Sequence, residues 1–123
     1  MIIKTGIDII EVARIKDNIE KFGDAFLHRI YTDKEIEYCE GKNVQKYQSY
    51  AGRFAGKEAI FKAISDSLDN KFEIEWKDIE ILNDENGRPY VNLYGKLDGK
   101  NMKIDLSISH VNQLAVASAV IVM

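Results

Sequence analysis

The sequence predicts an α+β fold: a single domain with an N-terminal strand, several helices including one long helix, and a C-terminal antiparallel sheet. The length of 123 residues and the hydrophobic content of 46% suit one compact core. Apolar residues recur at helical spacing through much of the first half of the chain and alternate with polar residues in the second half. Helices followed by successive strands are typical of an α+β domain, here spanning residues 1–123.

The first half is predicted to hold one strand and four helices. Residues 2–9 are rich in β-branched side chains, as in a buried strand. Val12, Ile15 and Ile19 then recur at helical spacing, and Gly23 ends that helix. Thr32 is an N-cap residue with a carboxylate three positions later, which opens another helix. The predicted helices cover residues 11–22, 25–30, 33–40 and 47–68, the last being the longest.

The second half is predicted to form an antiparallel meander. Residues 79–82 and 90–94 flank a turn-rich loop that contains the only proline, so they form a β-hairpin. Residues 102–108 alternate, and a turn at 111–113 leads into a last strand over 114–122.

Composition excludes several classes of function. The chain has 17 basic and 20 acidic residues, so it lacks the excess of positive charge that broad binding to nucleic acid requires. A single cysteine, Cys39, cannot form an intrachain disulfide, and it has no nucleophile signature around it. Neither end has the pattern of a signal peptide or a membrane anchor. We therefore expect a cytoplasmic protein.

The longest helix carries a cluster of charges that allows two interpretations. Glu58 precedes Lys62 by four residues, which is the favourable orientation for a helical ion pair worth roughly 0.2–0.5 kcal/mol. Arg53 and Lys57 have the same spacing but like charges, and they repel each other unless an anion lies nearby. The cluster is either a solvated charged face or part of a site for a metal and a phosphate.

Two further segments allow similar alternatives. Asp8, at the end of the first strand, is either an N-cap for the next helix or a ligand that shares Mg²⁺ with Glu58. His110, at the end of a later strand, either donates to a phosphate or is hydrogen-bonded within the fold. Ser109 is not readily activated by His110, because adjacent residues of a strand point to opposite faces.

The ordered set of motifs resembles the holo-[acyl-carrier-protein] synthases, the short class of the 4′-phosphopantetheinyl transferases. The resemblance covers nearly the whole chain. It rests on residues 6–9 (Gly-Ile-Asp-Ile), 52–59 (Gly-Arg-Phe-Ala-Gly-Lys-Glu-Ala), 86–90 (Asn-Gly-Arg-Pro-Tyr) and 107–110 (Ser-Ile-Ser-His).

The resemblance implies Mg²⁺-dependent transfer of phosphopantetheine from coenzyme A to a serine of apo acyl carrier protein, in support of fatty acid biosynthesis. Asp8 and Glu58 match the metal-binding carboxylates, and Lys62 matches the lysine that reaches the same phosphates. Arg53, Ser109 and His110 match the segments that contact the 3′-phosphoadenosine half of coenzyme A. The attacking serine belongs to the carrier. The sequence leaves open whether Glu58 or a metal-bound water removes its proton.

The resemblance also implies partners. The short class forms homotrimers with active sites at subunit interfaces, and the acidic carrier protein is expected to dock on Arg14, Lys21 and Arg29. Acidic residues lie between these basic ones, so the alternative is an ordinary helix face of mixed charge without a docking role. The larger transferases carry a second acidic residue two positions after the first aspartate, where this chain has Ile10.

Two other functions compete with the transferase. One is a nucleotide-binding module that uses Arg53, Lys62 and His110 for phosphate, and the other is a Mg²⁺-dependent phosphohydrolase. The sequence assigns no role to Lys57 or Asp105. It also does not indicate which carrier proteins are accepted or whether acyl-coenzyme A is used.

Overall fold

A computed structural model describes residues 1–68 and 74–123 of the chain. Within these ranges the chain forms one strand, then four α-helices, then four further strands. The α-helices are α1 (Val12–Phe22), α2 (Asp24–Ile30), α3 (Asp33–Glu40) and α4 (Lys46–Ile64). The strands are β1 (Ile3–Glu11), β2 (Ile79–Asn83), β3 (Pro89–Leu93), β4 (Lys103–His110) and β5 (Leu114–Val122). The predicted α+β fold is confirmed.

The strands do not form one meander. β2 and β3 make a separate hairpin, while the other strands form an antiparallel sheet in the order β1-β5-β4. The first strand of the chain therefore joins the last two. Asp8 of β1 and Ile108 of β4 lie at the same level, since both are in register with Ala117 of the central strand.

The core lies between α4 and the inner face of the three-stranded sheet. Small residues let the two approach closely, because Ala55, Ala59 and Ala63 of the helix are buried against a strand that itself buries alanines. Gly6 makes the closest approach: a Cβ atom there would lie 1.8 Å from the carbonyl oxygen of Ala59. This contact sets the position of β1, and hence of Asp8, relative to α4.

Local signals placed most helix ends correctly. The capping box is present, since the Thr32 hydroxyl accepts from the amide of Glu35 at 3.3 Å and the Glu35 carboxylate accepts from the amide of Thr32 at 2.9 Å. Gly23 ends α1 with a φ of 55°. The predicted end of the long helix at residue 68 is wrong, because α4 stops at Ile64 and continues as a 3₁₀ turn.

An ion pair buried beneath α4 explains Lys57. Its Nζ lies 2.8 Å from Oε1 of Glu35, and the two side chains are 1% and 0% exposed. The ammonium also donates to the carbonyl oxygens of Trp76 and Ile79. Burial lowers the pKa of Lys57, an effect that Glu35 opposes. Lys57 therefore joins α4 to α3 and to the hairpin, although the charge of Arg53 also acts to lower its pKa.

A second buried carboxylate, Glu80 on β2, accepts three hydrogen bonds. The donors are the hydroxyl of Thr32 at 2.6 Å, the amide of Asn92 at 3.1 Å and the hydroxyl of Tyr94 at 3.0 Å. These bonds connect the start of α3 with both strands of the hairpin.

The outer face of the three-stranded sheet exposes apolar side chains on β1 and β5, whereas its β4 part is polar. Its side chains on β1 alternate with the inward-facing ones, and Ile7 is 65% exposed. The other large apolar side chains on this face are Ile3, Ile9, Leu114 and Val120. Among the helices of the described ranges, none is both long and apolar enough to cross a membrane.

Candidate active site

Asp8, Glu58 and Lys62 form an acidic cluster where β1 lies beside α4. Lys62 donates from Nζ to Oδ1 of Asp8 at 2.9 Å and to the carbonyl oxygen of Ile7 at 3.2 Å. The pKa of Glu58 is raised by its burial and by the charge of Asp8, against the opposing effect of Lys62 and Arg14. The proximity of these three side chains, which their spacing in the sequence could not establish, is thus a feature of the structure.

Two of the simpler alternatives for these residues are wrong. Asp8 is not an N-cap, because β1 continues to Glu11 and that residue precedes α1 without a side-chain cap bond. Lys62 makes its ion pair with Asp8 and not with Glu58. Pairing across 54 positions of the chain holds the two elements together at this point.

The cluster fits Mg²⁺. This ion binds through one or two carboxylates together with phosphate and water oxygens, and Asp8 and Glu58 supply two carboxylates close enough for one charge to raise the pKa of the other. In residues 1–68 and 74–123, no three metal-binding side chains cluster. Ile10, on the same face of β1 as Asp8, is buried and adds no ligand.

A second site, the cationic pocket, opens on the other side of α4. It is a cavity of about 250 Å³ with Arg53, Lys42 and His110 in its walls, and among the described residues that line it none is acidic. The remaining walls include Tyr38, Asn83, Gly87, Pro89 and Ile108. A pocket with this charge suits an anionic ligand.

Arg53 is the deepest cation of this pocket. It is 4% exposed, and in the described parts of the chain no carboxylate pairs with it. The guanidinium lies 4.1 Å from the centre of the Tyr38 ring, donates to Ser49 at 3.3 Å and donates to Asn83. Its Nε is buried without a partner among these residues. Because a buried charge without a counter-ion is costly, the solvated-face interpretation is wrong for Arg53, and the geometry fits a bound anion.

Ser109 does not share this pocket. Strand alternation directs it to the outer face of the sheet, opposite to His110, and it is exposed there. Asp105, on the same outer face, pairs with Arg88 of the hairpin loop at 2.6 Å. This surface contact accounts for the carboxylate to which the sequence assigned no role.

Sequence reasoning missed Tyr38, Lys42 and Asn83. No motif singles them out, since they lie on α3, in the following turn and at the end of β2. Only their packing around Arg53 identifies them.

A cavity of mixed lining, similar in volume to the cationic pocket, borders the acidic cluster. It measures about 240 Å³, with Phe61, Trp76 and Ile79 among its apolar walls and Lys57, Glu58 and Glu75 as its charged ones. Glu58 is therefore reached both from the Asp8 side and from this cavity.

The acidic cluster and the cationic pocket belong to opposite edges of the sheet. Asp8 lies on β1 and His110 on β4, with β5 between them and α4 across the inner face. Two strand spacings separate these edges by roughly 10 Å.

This fold is that of a known class of proteins. The sequence model of the 4′-phosphopantetheinyl transferase superfamily matches residues 4–119. The chain is 48% identical to a holo-[acyl-carrier-protein] synthase of Caldicellulosiruptor saccharolyticus over 98% of this chain and 96% of that protein. It is 43% identical to that of Koribacter versatilis over 98% of both chains.

Solved structures of holo-[acyl-carrier-protein] synthases have the same fold as this chain. The holo-[acyl-carrier-protein] synthase of Helicobacter pylori in complex with coenzyme A superposes with a TM-score of 0.81 at 34% identity, over 96% of this chain and 99% of that one. The Bacillus anthracis enzyme, in complex with CoA (3′,5′-ADP), gives 0.76 at 36% identity, over 96% and 94%. The chain belongs to the holo-[acyl-carrier-protein] synthase family of this superfamily.

Proposed function

We propose that the protein transfers the 4′-phosphopantetheine group from coenzyme A to a serine of apo acyl carrier protein, within fatty acid biosynthesis in the cytoplasm. The serine oxygen attacks the phosphorus that carries pantetheine, and the bond from this phosphorus to the bridging oxygen breaks. The products are holo acyl carrier protein and adenosine 3′,5′-bisphosphate, and the serine proton passes to a base. The observation that carries the proposal is an acidic cluster and a cationic pocket in one small fold of this family.

The roles of the residues follow from charge and exposure. Asp8 and Glu58 would hold Mg²⁺, which when bound supplies positive charge to the pyrophosphate oxygens. The Lys62 side chain is 52% exposed, so its ammonium is free to turn from Asp8 to the leaving phosphate. Arg53 and His110 bind the 3′-phosphoadenosine end. The cavity beside Glu58, with apolar walls at Phe61 and Trp76, is assigned to the pantetheine arm.

A homotrimer would bring these parts together. Within one subunit, α4 and β5 lie between the acidic cluster and the cationic pocket, so one coenzyme A is better served by the cluster of one copy and the pocket of the next. The exposed apolar side chains on the outer face of β1 and β5 supply a surface for association. Sedimentation velocity tests this: the wild type is expected to run as a trimer, and Ile7→Asp as a monomer without activity. A monomeric, active wild type would exclude the trimer.

The acidic carrier protein is proposed to dock on the first two helices. Arg14 and Lys21 are seven residues apart on α1 and so share a face, with Arg29 on α2 and an exposed aromatic ring at Phe22. Arg14 is also close enough to the acidic cluster for its charge to lower the pKa of Glu58.

Charge reversal tests the docking face. Arg14→Glu is expected to raise the KM for the carrier severalfold while the KM for coenzyme A stays unchanged. Lys16→Glu makes the same charge change on another face of α1 and serves as the control. If both variants raise the KM for the carrier equally, the carrier docks on another surface.

The reaction itself is tested by mass spectrometry of apo carrier protein after incubation with enzyme, coenzyme A and Mg²⁺. We expect a gain of one phosphopantetheine group, abolished by Glu58→Gln while circular dichroism stays native. Coenzyme A binding without transfer and without a Mg²⁺ effect would favour the nucleotide-binding module. Release of adenosine 3′,5′-bisphosphate without carrier would favour a phosphohydrolase.

A further inference from the structure

Asn83 makes two different hydrogen bonds at the wall of the cationic pocket. Its carbonyl oxygen accepts from Nη2 of Arg53, and its amide nitrogen donates to the carbonyl oxygen of Gly87 at 2.8 Å. The chemistry dictates this orientation, since an amide nitrogen facing the guanidinium would set donor against donor. A single side chain therefore connects the buried cation with the hairpin loop.

The loop that Asn83 holds is already rigid within itself. Oδ1 of Asp84 accepts from the amides of Asn86 and Arg88, both at 2.9 Å, and the amide of Asp84 donates to the carbonyl oxygen of Arg88 at 2.9 Å. Gly87, with a φ of 81°, completes the turn. These bonds hold the loop in one shape, and its attachment to Asn83 sets how it faces Arg53.

Arg53 depends on neutral partners for its orientation. Tyr38 and Ser49 contact the guanidinium from α3 and α4, and Asn83 is its hydrogen-bond acceptor from the hairpin. A carboxylate in place of Asn83 would neutralise the charge. The amide fixes the guanidinium yet leaves its full positive charge for a ligand, and the bonds to Asn83 and Ser49 use only two of its five N–H groups.

We propose that Asn83 is a positioning residue for nucleotide selectivity: it fixes Arg53 and the 84–88 loop together so that the pocket prefers a 3′-phosphorylated adenosine over one with a free 3′-hydroxyl. This inference rests on the proposed function, which assigns the 3′-phosphoadenosine end to this pocket. Asn83 acts through Arg53, so its effect is confined to ligands that carry the 3′-phosphate.

The test uses adenosine 3′,5′-bisphosphate and adenosine 5′-monophosphate as probes in calorimetry with the full-length protein. The wild type is expected to prefer the bisphosphate. Asn83→Ala is expected to weaken bisphosphate binding about tenfold, the lower range for a hydrogen bond to a charged group. Binding of the monophosphate should change by less than about twofold, within the additivity error of such comparisons.

Two controls separate this role from general loss of structure. Asn101→Ala removes the same side chain at an exposed position that does not line the cationic pocket, and it should leave both affinities unchanged. In an Arg53→Met background, Asn83→Ala should cost no further bisphosphate affinity. Asn83→Asp, nearly identical in shape, is expected to lose selectivity at least as strongly, because its charge neutralises Arg53.

The outcomes are distinct. If both Asn83 variants keep the wild-type preference for the bisphosphate, the role of Asn83 is overturned while the proposed function stands. The same holds if Asn83→Ala weakens bisphosphate binding as strongly in the Arg53→Met background as in the wild type. A wild type that binds both probes equally overturns the assignment of this pocket, and the inference with it. Steady-state kinetics provides a second readout: Asn83→Ala should raise the KM for coenzyme A with little change in kcat.

Discussion

Replacing Gly6 with alanine would drive a methyl group into the backbone of α4. The new Cβ would lie 1.8 Å from the carbonyl oxygen of Ala59 and 2.8 Å from its carbonyl carbon. Both partners are main-chain atoms inside a helix, so neither is able to rotate away. β1 must therefore shift relative to α4.

The size of that shift follows from the distances. Cβ atoms essentially never approach other atoms closer than 3.0 Å, and the new contact would be 1.8 Å. β1 must therefore move away from α4 by at least 1.2 Å. Overpacking of this kind costs about 1–3 kcal/mol, and a main-chain clash lies at or above the top of that range. Asp8 is two residues along the same face and moves with the strand. A displacement of about 1 Å in a catalytic site costs on the order of 100-fold in rate.

Urea denaturation and transferase kinetics measure the two effects. We expect Gly6→Ala to lower the free energy of unfolding by about 3 kcal/mol and kcat/KM by about 100-fold. Gly41→Ala is the matched control, since its nearest contacts are 3.4 and 3.5 Å and its φ is helical at −67°. Native stability and full activity in Gly6→Ala would refute the claim that this contact positions Asp8.

Two predictions concern the buried charges. Lys57→Met leaves Glu35 buried without its partner and should lower the free energy of unfolding by about 3–5 kcal/mol; a loss below about 1 kcal/mol in urea denaturation contradicts the pairing. Burial acts to raise the pKa of Glu80, but its hydrogen bonds outweigh burial and lower the pKa from 4.5. The unfolded chain therefore takes up this proton at higher pH than the folded one, so stability falls on acidification below about pH 4.5. Glu80→Gln should make that decline shallower in a pH series of unfolding curves, and an identical slope would contradict it.

Local sequence signals predicted the elements well because their causes are local. The Thr32–Glu35 capping box and the positive-φ glycine at position 23 act within one turn, and both helix boundaries were correct. The place of β1 in the sheet was not predictable in this way. It pairs with a strand more than a hundred residues away. The alternation of apolar and polar residues in the C-terminal strands was equally compatible with a meander that leaves β1 out.

In the candidate site too, part was predictable from the sequence and part depended on contacts between distant segments. Asp8, Glu58 and Lys62 were assigned to one site by the family resemblance, and the structure joins Asp8 to Lys62 directly. The sequence showed that Arg53 and Lys57 are like charges four residues apart, but it did not show that each has a different partner. Lys57 pairs with a carboxylate 22 positions earlier, whereas Arg53 is held by an amide 30 positions later.

The sequence by itself determined the α+β class, the helix caps and the ordered motifs that resemble the transferase family, because periodicity, capping and motif order are properties of neighbouring residues. Only the tertiary structure decided which charges are buried, which face each other and which lie on opposite sides of α4. Those outcomes depend on contacts between distant segments, and on desolvation, which exists only once the core has closed. The tertiary structure therefore identified Asn83 as the residue that holds the buried guanidinium.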